Sequence, residues 1–295
     1  MHADELVVSE DLVRRLLADQ LPHLAHLPVR PFASTGTVNA IVRLGDDLYV
    51  RLPRVAAWAH DLARELEWLP RLAPSLPLTV PEAVAVGEPT SEFPHVWAVF
   101  RWVTGSPYAV GAVEEARAAA DLGAFVAALR AVPAPPDAPP GGRRPLAEVD
   151  ASTRDALQRS GHLVDADAAL AAWDRAMQAP VLTGSSSDRA WLHGDLLPPN
   201  VLVRDGHLEA VLDFGSVGVG DPAADTIAAW TMFSRTGRAA YREALGVDEG
   251  TWERARGHAL TQAAHIVPYY ERTNPGFSAM ARRTIEQLLD DAAHG

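Results

Sequence analysis

Hydrophobic and polar positions follow a strand-like spacing through the first hundred or so residues of the chain. Short alternating or apolar runs between turn residues predict β-strands near 29–32, 40–44, 48–52, 82–86 and 96–102. Two amphipathic segments accompany them, one beginning after Ser9 and one over 58–72, and both have the spacing of a helix with one buried face. The pattern therefore predicts an antiparallel sheet capped by helices.

The spacing changes to that of helices after residue 107. Apolar positions recur at three to four residues and predict helices near 114–132, 166–178, 222–235, 249–267 and 277–292. Gly237 is expected to end the third of these helices, and the Pro/Gly-rich stretch 133–145 is expected to be irregular. The chain therefore has an α+β layout, with a β-rich part, a hinge near 103–107 and a larger helical part.

One β-hairpin is predicted inside the helical part. Apolar runs at 201–203 and 210–212 flank an Asp205-Gly206 turn, with Asn200 directly before the first run and Asp213 directly after the second. Because a hairpin returns its two ends to the same side, we expect Asn200 and Asp213 to share metal ions. Asp195 precedes Asn200 with four residues between them and is left to accept a proton from a hydroxyl group.

These three side chains suit phosphoryl transfer, which depends on positioning and charge neutralisation more than on covalent chemistry. Mg²⁺ prefers hard oxygen ligands and few protein contacts, which a carboxylate and an amide oxygen supply. The tripeptides His-Gly-Asp at 193–195 and Asp-Phe-Gly at 213–215 are each common in turns. Their order and spacing, downstream of a β-rich region, indicate a catalytic site for a kinase reaction.

Composition narrows the class of protein. The net charge of −12 and the lack of a contiguous basic patch argue against nucleic acid as a partner. There are no cysteines, which excludes disulfides and thiolate metal sites, and all 26 basic residues are arginine. The acidic N-terminus and the absence of a long apolar run predict a cytoplasmic protein without a membrane partner.

The chain resembles the aminoglycoside phosphotransferase-like family, whose members share the protein-kinase fold. The residues that carry this resemblance are 193–200 (His-Gly-Asp-Leu-Leu-Pro-Pro-Asn), Asp213-Phe214-Gly215, and Gly220-Asp221-Pro222 followed by Asp225. The resemblance extends over nearly the whole chain, because the N-terminal strands and first helices also fall in the family's order. It implies a two-lobed protein-kinase-like fold with a small antiparallel N-lobe over 1–103 and a mostly helical C-lobe over 104–295.

The resemblance also implies residue roles in the C-lobe. Asp195 corresponds to the catalytic base, and Asn200 and Asp213 correspond to the ligands of Mg²⁺. His193 corresponds to a scaffold residue that braces the catalytic loop, and not to a catalytic one. Acidic side chains such as Asp225 and Glu271 are candidates to bind the ammonium groups of an amino sugar.

In the N-lobe, the resemblance implies a nucleotide site between the lobes. Arg51 stands where kinases carry a phosphate-binding lysine, and Glu65 is its expected partner, with Glu67 as the alternative. Phe100 and Trp102 of the hinge are expected to offer backbone groups to the purine. The loop expected to cover the phosphates contains Ser34, Thr35, Gly36 and Thr37.

We therefore expect an enzyme that transfers the γ-phosphoryl group of ATP or GTP to a hydroxyl of a small molecule. The resemblance implies antibiotic phosphorylation and hence antibiotic resistance, with an aminoglycoside as the first expectation and a macrolide as the second because the C-lobe is aromatic. Two alternatives remain, namely a metabolic kinase of amino alcohols or sugars, and a non-catalytic nucleotide-binding protein. The last rests on the replacement of lysine by Arg51.

Overall fold

The chain forms two compact units in a computed structural model that describes residues 6–32, 39–182 and 189–294. The first unit comprises Met1–Pro74, Thr79–Thr104 and Ala210–Val217; the second comprises Ser75–Leu78, Gly105–Glu209 and Gly218–Gly295. The division after residue 104 lies next to the expected lobe boundary at 103. The segment 210–217, which the sequence placed in the C-lobe, belongs to the first unit because it hydrogen-bonds to side chains there.

The first unit contains one five-stranded antiparallel sheet, as the alternating pattern predicts. Its strands in spatial order are β1 (Val29–Pro31), β2 (Asn39–Leu44), β3 (Leu48–Pro53), β5 (Trp97–Arg101) and β4 (Ala83–Gly87). Along β2, Ala40, Val42 and Leu44 are buried, whereas the residues between them are half-buried. This period of two places one face of the sheet against the apolar core.

Two helices accompany this sheet, as predicted. Helix α1 (Glu10–Gln20) begins at Ser9, whose hydroxyl accepts a hydrogen bond from the Leu12 backbone N–H at 3.2 Å. Its apolar side packs into the same core as β2 and β3. Helix α2 (Ala56–Leu72) buries Leu62 and Trp68 and, unusually, the carboxylate of Glu65.

The second unit is mostly helical. Its helices are α3 (Glu115–Ala131), α4 (Leu146–Arg159), α5 (Ala166–Ala176), α6 (Ala223–Thr226), α7 (Ala228–Thr231), α8 (Arg235–Leu245), α9 (Glu249–Tyr270) and α10 (Pro275–His294). Helix α9 is the central element, because it packs against α4, α5, α6, α7 and α10. Within the described ranges, no helix is long and apolar enough to cross a bilayer.

Short strands lie next to the loops that carry Asp195, Asn200 and Asp213. They are β6 (Ser106–Pro107), β7 (Ala190–Leu192), β8 (Val201–Arg204), β9 (His207–Val211) and β10 (Gly218–Gly220). The predicted hairpin is present as β8 and β9, and its turn residues Asp205 and Gly206 have φ angles of 52° and 78°. Strand β7 pairs antiparallel with β10, with Leu192 opposite Gly218. The predicted loop 133–145 runs beside β10, since Gly141 N–H donates to Val219 O at 3.0 Å.

The predicted helix over 222–235 is wrong. The chain instead forms α6 and α7, with Ile227 between them, and α8 starts only at Arg235. Gly237 lies inside α8, so it does not end the preceding helix, which stops at Thr231. An added Cβ at Gly237 would lie 2.6 Å from Cγ of Glu115, so the two residues pack closely. Helix α4 was not predicted from the sequence.

Candidate active site

The loop after β7 is held by a buried carboxylate. Asp225 is fully buried, and its two carboxylate oxygens accept hydrogen bonds from the backbone N–H groups of His193, at 2.7 Å, and Gly194, at 2.8 Å. Gly194 has a φ of 85°, which favours glycine because other residues are strained there. The expectation that Asp225 binds an ammonium group of a substrate is wrong, since both its oxygens anchor this loop.

His193 orients the residue that follows Gly194. Its imidazole is buried, and Nδ1 accepts a hydrogen bond from the backbone N–H of Asp195 at 3.2 Å. Because Nδ1 is the acceptor, this bond requires the tautomer that carries its proton on Nε2. The contact fits the scaffold role expected for His193 from the family resemblance.

Asp195 and Asn200 form one hydrogen-bonded turn. The Asn200 amide nitrogen donates to the Asp195 backbone oxygen at 2.9 Å and to its carboxylate Oδ2 at 3.2 Å. A short 3₁₀ helix, Pro198–Asn200, connects the two residues to β8. Because the amide nitrogen serves both contacts, the amide oxygen of Asn200 is the atom left to bind a cation.

Two further polar side chains of the second unit belong to the surroundings of Asp195, and the sequence did not point to either. Gln262 on α9 places its amide nitrogen 3.5 Å from Asp195 Oδ1, and its buried amide oxygen has no partner among the described residues. Arg143 lies close enough to Asp195 and Asp225 for their charges to act on its guanidinium, and burial lowers its pKa. The Gly141-Gly142 pair before Arg143 is the one sequence feature that could have drawn attention to it, since paired glycines favour a turn; in the structure Gly142 has a φ of 89°.

In the first unit, Arg51 is the centre of a buried ion-pair cluster. Arg51 is 6% exposed, and its Nη1 donates to Glu65 Oε2 at 2.8 Å while Nη2 donates to Asp213 Oδ1 at 3.1 Å. The same Glu65 oxygen accepts from the backbone N–H of Phe214 at 3.0 Å. Glu65 is therefore the partner of Arg51, whereas Glu67 is exposed and lies beside an arginine one turn along α2.

Burial and the neighbouring charges act in opposite directions on the pKa values of Glu65 and Arg51. Burial raises the pKa of Glu65, against the opposing effect of the Arg51 charge. For Arg51 itself, burial lowers the pKa, but the charges of Glu65 and Asp213 raise it by more, so the net shift is upward. Arg51 is consequently a permanent cation in a dry setting, which strengthens its attraction to any anion that reaches it.

Asp213 has a backbone conformation that marks it within the cluster. Its φ and ψ angles are 63° and 72°, in the left-handed region that non-glycine residues adopt at some energetic cost. Its side chain is 45% exposed although it pairs with Arg51. The following Gly215 packs closely on α2, where an added Cβ would lie 2.9 Å from Cβ of Asp61. Asp213 is thus a partly exposed carboxylate held on a tightly fitted turn.

The predicted hinge residues are more firmly tied into the sheet than expected. Phe100 is buried within β5 and stacks on Tyr49, with ring centroids 5.3 Å apart. The Trp102 backbone N–H donates to Asp47 O at 2.7 Å, so it cannot also donate to a purine. Of the backbone groups expected from Trp102, the carbonyl remains. Ser34, Thr35, Gly36 and Thr37 lie outside the described residues.

The donor set fits Mg²⁺. Within the ranges that the structure describes, no three or more His, Asp or Glu side chains are grouped so that they could hold a metal ion. Mg²⁺ instead takes one or two protein oxygens and completes its shell with phosphate and water. Two such oxygens are the carboxylate of Asp213, in the first unit, and the amide oxygen of Asn200, in the second unit.

A second buried ion pair anchors the segment after β10. Arg254 on α9 binds both carboxylate oxygens of Asp221, at 2.7 and 3.1 Å, and Asp221 also accepts from the Ala223 backbone N–H at 2.9 Å. Two parallel bonds from one guanidinium fix direction as well as distance. This pairing holds the start of α6 and thereby Asp225, so it supports the loop of Asp195.

Comparison with protein families and curated sequences gives one match. The profile of the phosphotransferase enzyme family matches residues 29–259. This range includes Arg51 with its partners Glu65 and Asp213, and also Asp195 and Asn200. The comparison with curated proteins yields no match.

Solved structures show a shared fold at low identity. The GDP and kanamycin complex of APH(2")-IIia is 17% identical with a TM-score of 0.71, covering 96% of this chain and 99% of that chain. The streptomycin–ATP complex of APH(2")-IIa is 16% identical, with a TM-score of 0.61 and 97% of each chain covered. The macrolide 2'-phosphotransferase MphH from Brachybacterium faecium is 24% identical, with a TM-score of 0.60, covering 95% and 97%. These neighbours confirm the kinase-like α+β fold.

Proposed function

The chain belongs to the phosphotransferase enzyme family, and from this premise we propose that it transfers the γ-phosphoryl group of ATP or GTP to a hydroxyl group of a small molecule. Similar solved structures contain GDP in one case and ATP in another, which supports a nucleotide as the donor and leaves the base open. In this proposal, Asp195 takes the proton of the acceptor hydroxyl and Arg51 contacts the phosphates of the donor.

In the proposed reaction, Asp195 accepts the proton of the acceptor hydroxyl. The hydroxyl oxygen then bonds to the γ-phosphorus, while the bond between that phosphorus and the oxygen bridging to the β-phosphate breaks. The products are a phosphate monoester and a nucleoside diphosphate. Because the Asn200 amide and the Gln262 amide both approach the Asp195 carboxylate, its orientation is restrained before the acceptor arrives.

The phosphates of the donor are proposed to meet Arg51 and the metal ligands. Arg51 is charged at any working pH, and Glu65 fixes one arm of its guanidinium. Asn200 and Asp213 are the residues proposed to hold Mg²⁺, which when bound would neutralise charge on the phosphate oxygens. Phe100 of β5 and Trp102, which directly follows that strand, are proposed to lie beside the purine, with no hydrogen bond from the Trp102 N–H.

The observation that carries this proposal is the pairing of Asp195 with Asn200. One amide nitrogen contacts both the backbone and the carboxylate of Asp195, so base and amide are fixed as a unit. A chain that merely bound nucleotide would gain nothing from orienting a carboxylate in this way. The pairing therefore favours a catalyst over the non-catalytic alternative.

For the acceptor, an aminoglycoside is the first candidate and a macrolide the second. The first follows from the family and from the amino sugars in the similar structures. The second is favoured by the structural similarity to the macrolide 2'-phosphotransferase MphH. Uncharged side chains of the second unit, among them Leu197, Ile266 of α9 and Met280, line a depression with room for only about one water, so that depression does not decide between the two acceptors.

The experiment is an assay of nucleoside diphosphate release, with ATP and GTP each tested against aminoglycosides, macrolides, amino alcohols and sugars. We expect release that depends on one acceptor class. Asp195→Asn should lower that turnover by about 10²- to 10⁴-fold, the range attributed to a general base, while nucleotide binding persists. Asp205→Asn is the matched control, because Asp205 is exposed in the hairpin turn and asparagine tolerates its positive φ.

The outcomes separate the candidates. Release with an amino alcohol or sugar but no antibiotic would make the chain a metabolic kinase. Nucleotide binding without release for any acceptor would support the non-catalytic alternative. Full turnover by Asp195→Asn would remove Asp195 from its proposed role.

A further inference from the structure

Arg51 replaces a lysine in a chain that has no lysine at all, and the two side chains differ in what they require. A lysine presents three donors from one freely rotating atom. An arginine presents five N–H groups in a rigid plane, and their directions depend on how that plane is turned. An arginine in this position therefore needs a group that fixes its plane.

Asn39 supplies such a group from the neighbouring strand. Its amide matches its surroundings when the oxygen faces Arg51, where it accepts from Nε at 3.1 Å and from Nη2 at 3.2 Å. Glu65 holds Nη1 at 2.8 Å. Together these contacts define three points of the guanidinium plane, so Arg51 cannot turn about its last bonds without losing one.

The sheet register explains why Asn39 reaches Arg51. On paired strands β2 and β3, Asn39 lies opposite Pro53, and Ile41 lies opposite Arg51. Positions two apart on a strand share a face, so Asn39 and Arg51 are diagonal neighbours on the same face of the sheet. Asn39 is half-buried and lies on the face of β2 opposite to Ala40 and Val42, which pack into the apolar core.

The remaining partner of Arg51 is of a different kind. Asp213 accepts from Nη2 at 3.1 Å, but its side chain is 45% exposed, whereas that of Glu65 is 0% exposed. Glu65 is thus a fixed partner, and Asp213 is one that a ligand can reach. The Nη2 arm is the part of the fork able to exchange Asp213 for a phosphate oxygen.

We propose that Asn39 is a positioning residue that orients the Arg51 guanidinium, so that an arginine can contact the donor phosphates in place of a lysine. The inference rests on the proposed function for the identity of the anion, a nucleotide phosphate. It goes beyond that function in assigning to Asn39 a task that exists only because residue 51 is arginine.

The test is a double-mutant cycle with Asn39→Ala, Arg51→Lys and both changes together, measured as the affinity for ATP without acceptor. We expect Asn39→Ala alone to weaken binding about tenfold, the size of one lost hydrogen bond to a charged group. In the Arg51→Lys background, the same change should weaken binding less than about twofold, since a lysine has no plane to orient. Arg30→Lys, an exposed change in β1, is the control for the arginine-to-lysine exchange.

A second readout separates positioning from general support of the fold. With acceptor present, Asn39→Ala should raise the KM for nucleotide while leaving kcat within about twofold, because the base is untouched. The fall in melting temperature caused by Asn39→Ala should be at least halved in the Arg51→Lys background, and this measurement needs no nucleotide.

The contrary results are distinct. An equal loss of affinity in both backgrounds would show that Asn39 acts on nucleotide directly or through the fold, and would overturn the inference. Unchanged affinity in the single Asn39→Ala variant would overturn it too. Intact ATP binding without acceptor turnover would count against the proposed function alone, whereas no ATP binding by the unmodified chain would overturn both.

Discussion

The charged cluster around Arg51 and the one around Asp195 differ in how fully the protein satisfies them. At Arg51, the guanidinium contacts two carboxylates and one amide, and Glu65 Oε1 is the buried atom without a partner among the described residues. Around Asp195, unpartnered buried atoms in the described part of the chain occur on Arg143 and Gln262, and a further one occurs on His258, whose pKa is affected by the charge of Arg143. Buried polar atoms normally find partners, so the second set requires an explanation.

The difference indicates two ways of preparing a site. The cluster of the first unit is preorganised, because its cation is fixed by the protein whether or not an anion is present. The surroundings of Asp195 instead hold polar atoms whose cost, about 1–3 kcal/mol for each unsatisfied group, is recovered when a ligand or water pairs with them. Such costs are typical of functional sites, where stability is given up for activity.

The largest effect should come from breaking the ion-pair cluster around Arg51. Glu65→Ala removes the fixed partner of Arg51 and leaves a buried cation with the exposed Asp213 and the amide of Asn39. We expect the free energy of unfolding to fall by about 3–5 kcal/mol, as for other broken buried ion pairs. Denaturant unfolding monitored by tryptophan fluorescence measures this loss.

The matched control is Glu67→Ala, two residues away on the same helix. Glu67 is exposed and lies 3.9 Å from Arg71, so its removal should change the free energy of unfolding by less than about 0.5 kcal/mol. Equal effects of the two substitutions would show that the Arg51 cluster is not a special source of stability.

The next effect in size concerns pH and the second cluster. Burial, with a contribution from Arg143, lowers the pKa of His258 from 6.5 to about 4. Asp221 opposes that shift and Arg254 adds to it. Since the unfolded chain binds the proton first, stability should fall as pH drops from 6.5 toward 4 and then level off, by at most about 3 kcal/mol.

Unfolding curves of the unmodified chain and of His258→Gln across this pH window test the prediction. The difference between them should shrink as pH falls, because the variant has no imidazole to protonate. His265→Gln, an exposed change on the same helix, serves as control. Parallel curves for the unmodified chain and His258→Gln would contradict the assignment.

The spacing of apolar residues predicted the strands and helices whose pattern is visible in the local sequence. The five strands of the first unit and helices α1, α2, α3, α5, α9 and α10 all follow apolar spacing that is visible in the sequence. The helix over 222–235 failed because tertiary packing decides that segment: its residues from Ala223 to Phe233 are buried on all sides, so no polar face marks the breaks. Strands β7 and β10 have three residues each, too few to show a period.

The contacts of the site likewise differ in whether the sequence could predict them. Arg51 and its partner Glu65 lie on neighbouring elements with recognisable patterns, so their pairing could be predicted. Gln262 comes to Asp195 from 67 positions away on α9, and nothing in the local sequence of either residue encodes that contact. Asn39 required the strand register, which the sequence leaves open by one residue in either direction.

The smallest expected effect offers the sharpest distinction between the two clusters. Gln262→Leu removes a buried amide oxygen that has no partner among the described residues, together with the amide nitrogen 3.5 Å from Asp195. If that oxygen forms its hydrogen bond only when the acceptor binds, its removal should raise the free energy of unfolding of the free enzyme by about 1 kcal/mol. The KM for the acceptor should rise several-fold.

Thr261→Val, at the adjacent position on α9, provides the opposite control. Its hydroxyl is already bonded to that of Thr153 at 2.6 Å, so its removal should lower the free energy of unfolding by about 1 kcal/mol. Denaturant unfolding and acceptor titrations of both variants measure the contrast. A destabilised Gln262→Leu would mean that the amide is satisfied in the free enzyme, and the two clusters would then be equally prepared.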